Sequence, residues 1–83
     1  MLPVVEVDHH AMVETKIIRM ANQIASYFDS RPEGERVPGI ASHINDFWEP
    51  RMRTQLLDLL ARRAEAFQPD VLESLPLIRK PLR

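Results

Sequence analysis

The sequence predicts an all-α protein, a small three-helix bundle with a short fourth helix. Three segments carry apolar residues at positions i, i+3, i+4 and i+7, the spacing of an amphipathic helix. Seven prolines punctuate the chain, and no alternating β-branched run continues beyond the first few residues. The 83 residues suffice for one domain with a thin core, since a chain of this size buries roughly 60–65% of its extended surface.

The chain is predicted to divide into an extended arm over residues 1–11, a helical bundle over residues 12–75 and a tail over residues 76–83. Acidic residues interrupt the valines of the arm, which either lacks a fixed structure or adds to the surface of a neighbour. The tail is apolar and basic, but its prolines leave no room for a helix.

The first helix is predicted from about Met12 to Asp29. Ile18 and Ala25 extend its apolar face beyond the width that one neighbouring helix covers. The polar segment over residues 29–36 contains a proline and a glycine and is predicted to be a solvated loop. The other apolar residues of this helix are Val13, Ile17, Met20, Ala21, Ile24, Tyr27 and Phe28.

A second helix is predicted to start near Val37, because Pro38 suits a first helical turn, and to end at Pro50. Phe47 and Trp48 have two interpretations: core residues that close the bundle, or anchors for a partner, since aromatic residues serve both purposes. The predicted apolar stripe of this helix is Val37, Ile40, Ala41, Ile44, Phe47 and Trp48.

The third helix is predicted from Pro50 to about Phe67. Leu57 and Ala64 widen its apolar arc to about 160°, which a three-helix bundle leaves partly uncovered. A last short helix is predicted from Asp70 to about Leu75, closed by Pro76. The uncovered apolar arcs favour a subunit or adaptor over a free-standing protein.

The composition limits the classes of function. Eleven basic and twelve acidic side chains give a net charge of −1, which disfavours non-specific binding to nucleic acid. Residues 51–83 carry a net charge of +3, so this part is the better candidate for contact with an acidic surface. The absence of cysteine excludes disulfides and thiolate ligation of zinc or iron–sulfur clusters by this chain. With no signal peptide or spanning segment in the sequence, we expect a cytoplasmic protein without membrane contact.

No arrangement of residues predicts catalysis. His9 and His10 are adjacent and point apart in any regular element, and His43 has no histidine or carboxylate four residues away. Phosphate-binding glycine motifs and nucleophile motifs are absent. We therefore predict that the chain is not an enzyme and holds no catalytic, cofactor-binding or metal residue of its own.

Residues 47–53 form the densest cluster of the residue types that are enriched at protein–protein interfaces. Arg53 falls within the apolar arc, in the first turn of its helix, where the helix dipole disfavours a cation. We therefore expect an acidic partner for Arg53, in this chain or another. The predicted partner-binding residues are Ile18, Phe47, Trp48, Arg51, Met52, Arg53 and Leu57.

Two stretches of the sequence carry a resemblance to a known family. They are MANQIA, over residues 20–25, and HI..FW.PRMR, over residues 43–53. Together with their surroundings they span roughly residues 16–60. In these stretches the chain resembles the delta subunit of soluble NAD-dependent formate dehydrogenases.

The resemblance implies a non-catalytic subunit that binds the catalytic alpha subunit and supports its assembly or stability. In that family the alpha subunit holds a molybdenum or tungsten bis-pterin cofactor and iron–sulfur clusters, while other subunits carry flavin, further clusters and the NAD site. Two alternatives stay open: a transient chaperone for assembly or cofactor insertion, and a free homo-oligomeric helical adaptor. A helix-turn-helix DNA-binding protein is disfavoured by the acidic first half of the chain.

Overall fold

A computed structural model describes residues 9–80 of the chain, with side chains from residue 13 onward. Every regular element in this range is helical, which confirms the predicted fold class. The four α-helices are α1 (His9–Phe28), α2 (Glu33–Phe47), α3 (Pro50–Arg62) and α4 (Pro69–Ser74), and single 3₁₀ turns occupy Ala64–Ala66 and Leu75–Leu77.

The core forms around α1, which packs against α2, α3 and α4. Ala21 and Ala25 on α1 are fully buried, and their small side chains let the neighbouring helices approach closely. α2 also packs against α4 and the Leu75–Leu77 turn. The buried apolar residues are Ile17, Ala21, Ala25, Ile40, Ala41, Ile44, Trp48, Leu56, Leu59, Leu60, Phe67, Val71 and Ile78.

The helix α1 begins at His9, earlier than predicted. The predicted arm can therefore include at most residues 1–8, which lie outside the described residues. Tyr27, assigned by its spacing to the apolar face, is 68% exposed. It lies about 200° around the helix from the buried Ala25, so the core does not reach it.

The start of α2 at Glu33 corrects the predicted start near Val37. Two acidic residues in the first turn, Glu33 and Glu35, suit the positive end of the helix dipole. Pro38 consequently lies inside the helix, where it cannot donate a hydrogen bond to the carbonyl of the exposed Gly34. The loop before α2 therefore spans residues 29–32, where residues 29–36 were predicted.

The contact between α1 and α2 depends on a residue without a side chain. The ring of Phe28 lies directly over Gly39, so a Cβ atom at position 39 would be 2.5 Å from Cε1 and 2.8 Å from Cδ1 of that ring. Side-chain carbons do not approach this closely, so the ring must shift if position 39 gains a methyl group. Gly39 therefore fixes how near the two helices can lie.

We expect Gly39→Ala to lower the free energy of unfolding by about 1–2 kcal/mol. The added methyl group overpacks the contact with Phe28, which costs about 1–3 kcal/mol and outweighs the higher helix propensity of alanine. Gly34→Ala is the matched control in the same helix, since no atom lies within 4 Å of the place its methyl group would occupy. That change should raise the free energy of unfolding by about 0.5–1 kcal/mol. Urea denaturation of both variants tests the contrast, and equal stabilisation would contradict the contact between Phe28 and Gly39.

The helix α3 begins at Pro50 as predicted, but it ends at Arg62 and not at Phe67. Arg63 leaves the helical region with φ −133° and ψ 52°, and the 3₁₀ turn Ala64–Ala66 follows. Phe67 is extended and buried in the core. Leaving the helix allows the chain to turn inward, so that Phe67 packs in the core and α4 follows against α1.

Asn22 of α1 fastens this turn through its side-chain amide. Its Nδ2 donates a hydrogen bond to the carbonyl of Ala66 at 3.0 Å, and its Oδ1 accepts one from the backbone N–H of Gln68 at 2.9 Å. The Gln68 side chain returns a hydrogen bond to the carbonyl of Asn22 at 3.3 Å. These three hydrogen bonds, here called the Asn22 clamp, hold the backbone on both sides of Phe67.

Asn45 of α2 repeats this arrangement at the next turn. Its Nδ2 donates to the carbonyl of Leu77 at 3.0 Å, and its Oδ1 accepts from the backbone N–H of Arg79 at 2.8 Å. The residue between them, Ile78, is extended and buried, as Phe67 is at the Asn22 clamp. These two hydrogen bonds, here called the Asn45 clamp, keep Ile78 in the core, although the bundle was predicted to end at residue 75.

Arg62 joins α3 to the first half of α1. Its Nη2 lies 2.8 Å from Asp58 Oδ2 and 2.9 Å from Glu14 Oε2. The hydrogen bond to Asp58, followed by that to Glu14, raises the pKa of the Arg62 guanidinium above its ordinary value. Arg62 therefore links the last turn of α3 to α1.

Candidate partner-binding surfaces

Among the side chains that the structure describes, residues 13–80, no group of three or more His, Asp or Glu is placed to hold a metal ion. The ring of His43 stacks at a tilt on that of Phe47, with 4.9 Å between the ring centres. None of the helices over these residues is long and apolar enough to cross a membrane. The notable features of the surface are two apolar grooves.

The first groove, here called the aromatic groove, lies between α1 and α2 and has a volume of about 400 Å³. Two aromatic side chains are largely exposed on these helices, Tyr27 at 68% and Phe47 at 73%. Tyr27 lines the groove, while Phe47 contacts the lining residue His43. The lining residues are Met20, Gln23, Ile24, Tyr27, Phe28, His43 and Trp48.

The end of α2 explains why two adjacent aromatic residues face opposite ways. The backbone becomes extended at Trp48, with φ −90° and ψ 135°, and its side chain enters the core with 6% of its surface exposed. Phe47, the last helical residue, stays outside the core. The prediction that Phe47 joins the core stripe of α2 is therefore wrong, because the change of direction at Trp48 separates the two rings.

The aromatic groove is suited to binding an apolar segment of another protein. Exposed tyrosine and phenylalanine side chains lose unfavourable contact with water when a partner covers them. Aromatic residues that flank a concavity are typical of binding hot spots. Gln23 and His43 are the polar residues of its lining, and they offer hydrogen bonds to a segment bound there.

The second groove, here called the α3 groove, lies between α3 and the Leu75–Leu77 turn and has a volume of about 690 Å³. It shares no lining residue with the aromatic groove. Its lining residues are Leu57, Asp58, Leu75, Pro76, Ile78 and Lys80.

Arg53 binds carbonyl oxygens near this groove. Its Nη1 donates to the carbonyl of Trp48 at 2.8 Å, and its Nε donates to that of Arg79 at 3.1 Å. Within the described part of the chain its guanidinium pairs with no carboxylate. Two carbonyl groups therefore accept hydrogen bonds from Arg53, and the acidic partner expected for it, in this chain or another, stays a prediction for another chain.

The structure separates the seven predicted partner-binding residues. Phe47 is at the aromatic groove, while Leu57 lines the α3 groove. Trp48 is a core residue, and it also lines the aromatic groove. The partner-binding role stays a prediction for all seven residues: the buried Trp48, the partly buried Ile18, Met52 and Leu57, the half-buried Arg53, and the exposed Arg51 and Phe47.

Sequence reasoning missed the exposed positions of Tyr27, Leu75 and Leu77. The spacing of apolar residues in α1 assigned Tyr27 to the buried face. Its position at the edge of a wide apolar arc was, however, a signal that it could be exposed. Leu75 and Leu77 are 38% and 51% exposed. They lie in a 3₁₀ turn, where helical spacing does not predict which side faces the core.

One comparison with known proteins gives a match. The family model described as NADH-dependent formate dehydrogenase delta subunit matches residues 16–75. The matched residues run from α1 to the start of the Leu75–Leu77 turn and include the whole lining of the aromatic groove, together with Asn22 and Asn45. Neither the curated proteins nor the solved structures contain a match.

Proposed function

The chain belongs to the family of NADH-dependent formate dehydrogenase delta subunits, and on this premise we propose that it is a non-catalytic accessory subunit that binds the large catalytic subunit. The observation that carries the proposal is the aromatic groove with Tyr27 and Phe47 exposed beside it. An apolar surface of this kind on a small bundle is suited to an interface. The bis-pterin metal, the iron–sulfur clusters and the flavin would belong to the partner subunits.

The proposed role in assembly or stability follows from mass action. A protein that binds only the assembled form of its partner stabilises that form by RT ln(1 + [L]/Kd). Covering Tyr27 and Phe47 supplies binding energy of about 2 kcal/mol for each ring, at roughly 25 cal/mol per Å² of apolar surface. Both rings lie on helices that are already folded, so binding does not have to order the backbone that carries them.

The double variant Tyr27→Ser/Phe47→Ser tests the proposal. We expect its affinity for a tagged catalytic subunit, produced together with the other subunits, to fall by at least about tenfold. The free energy of unfolding of the isolated chain should change by no more than about 0.5 kcal/mol, because both side chains are exposed. The control variant Thr15→Ser/Ala61→Ser alters exposed residues that line neither groove, and its affinity should be unchanged.

Co-purification separates the candidate roles. Stoichiometric retention of the chain in the active enzyme supports an accessory subunit. Its presence only on immature catalytic subunits would indicate a transient assembly factor. If the chain forms oligomers alone and binds no formate dehydrogenase subunit, the proposal is wrong.

A further inference from the structure

Positive charge gathers at one end of the α3 groove. The guanidinium of Arg53 is hydrogen-bonded to the carbonyl of Arg79 at 3.1 Å, which brings the segment after the Leu75–Leu77 turn against the start of α3. The next residue, Lys80, lines the groove. The first turn of α3 adds the exposed Arg51 and the positive end of the helix dipole.

The described acidic residues near this end, Asp58 and the exposed Glu49 at the N-cap of α3, form no ion pair with these cations. Asp58 lines the groove, but its carboxylate is 2.8 Å from Arg62 and is already paired. In the described part of the chain, Arg53, Arg79 and Lys80 form no ion pair. Each therefore has N–H donors left for an external acceptor, and the exposed side chains of Arg79 and Lys80 can reach it.

The same groove has an incompletely covered apolar wall. Leu57 is half-buried and Leu75 is 38% exposed, while Leu77 in the same turn is 51% exposed. The wall and the basic end are adjacent, since Ile78 and Lys80 both line the groove. An occupant that matches both parts has apolar side chains along its length and carboxylates at one end.

We propose that the α3 groove binds an apolar segment of a partner subunit, with the carboxylates of that segment facing Arg53, Arg79 and Lys80. The inference rests on the proposed function, because it presupposes a partner subunit, but it concerns a different surface from the aromatic groove. Opposite charges at one end fix the direction in which the segment lies and accelerate its association. The chain then contacts its complex through two separate grooves.

The variant Arg79→Glu/Lys80→Glu tests whether the positive charge at the α3 groove contributes to binding. Both side chains are exposed, and Arg79 takes part in the fold only through its backbone N–H and carbonyl, so the bundle should stay intact. We expect its affinity for the tagged catalytic subunit, produced together with the other subunits, to fall about tenfold and to depend less on salt. Lys16→Glu/Arg19→Glu makes the same change in net charge on α1 and should alter the affinity by no more than about twofold.

A photo-crosslinking residue at Leu75 in the assembled complex identifies the occupant. A cross-link to a partner peptide with apolar residues and at least two carboxylates supports the proposal. A cross-link to a second copy, to residues 81–83 of the same chain, or to a peptide without carboxylates overturns it. If the wild-type chain binds the partner subunits and the charge-reversed variant binds equally well, only this inference fails. If the wild-type chain does not bind them, both proposals fail.

Discussion

Replacing Trp48 with alanine is expected to lower the free energy of unfolding by about 3–5 kcal/mol. The bundle buries almost the whole side chain, with only 6% of its surface exposed at the aromatic groove. A domain of this length has a total stability of about 4–12 kcal/mol. The truncated side chain leaves a cavity where the end of α2 packs against the core, so the variant loses a large share of this stability.

The measurement is urea denaturation followed by far-UV circular dichroism, because Trp48 is the only tryptophan and its fluorescence is lost in the variant. Trp48→Phe is the control: it keeps an aromatic ring in the core and should cost about 1–2 kcal/mol. A Trp48→Ala chain that unfolds like the wild type but no longer binds the catalytic subunit would instead show that Trp48 acts at the interface.

Asn22→Ala is expected to lower the free energy of unfolding by about 2–3 kcal/mol. The change leaves the carbonyl of Ala66 and the N–H of Gln68 without their partners, at a site that is partly buried. A buried polar group without a partner costs about 1–3 kcal/mol. Asn45→Ala should cost less, about 1 kcal/mol, because the corresponding bonds are exposed and water can replace the amide.

Gln23→Ala is the control for Asn22→Ala, since it truncates an exposed neighbour on the same helix and should change stability by no more than about 0.5 kcal/mol. Asn22→Asp should also destabilise the chain, because a carboxylate oxygen would then face the carbonyl of Ala66. Denaturation monitored by Trp48 fluorescence compares all four variants. A larger loss for Asn45→Ala than for Asn22→Ala would show that burial does not determine the strength of these clamps.

The helices were predictable because their signals are local. The apolar period of α1 and Pro50 in the first turn of α3 each depend on residues within a few positions of one another. Pro38 was misleading for the same reason. It is read as a helix start when considered alone, while Glu33 and Glu35 supply a competing start signal one turn earlier.

The clamps and the acceptors of Arg53 could not be predicted from local pattern. Asn22 bonds to backbone groups 44 and 46 positions away, and Arg53 bonds to a carbonyl 26 positions away. A polar side chain on a helix looks the same in the sequence whether it meets water or a distant turn. The separation of Phe47 from Trp48 was likewise decided by where α2 ends, and a boundary is the least certain part of a helix prediction.

The Asn45 clamp also has a consequence for the order in which the newborn chain folds. Asn45 and Arg79 are 34 positions apart, so a ribosome that adds 5–20 residues per second needs roughly 2–7 s to make the second after the first. Until Ile78 and Arg79 have left the ribosome, the Asn45 clamp cannot form and Ile78 cannot pack in the core. The core of the bundle is therefore completed only after the segment that follows the Leu75–Leu77 turn has emerged.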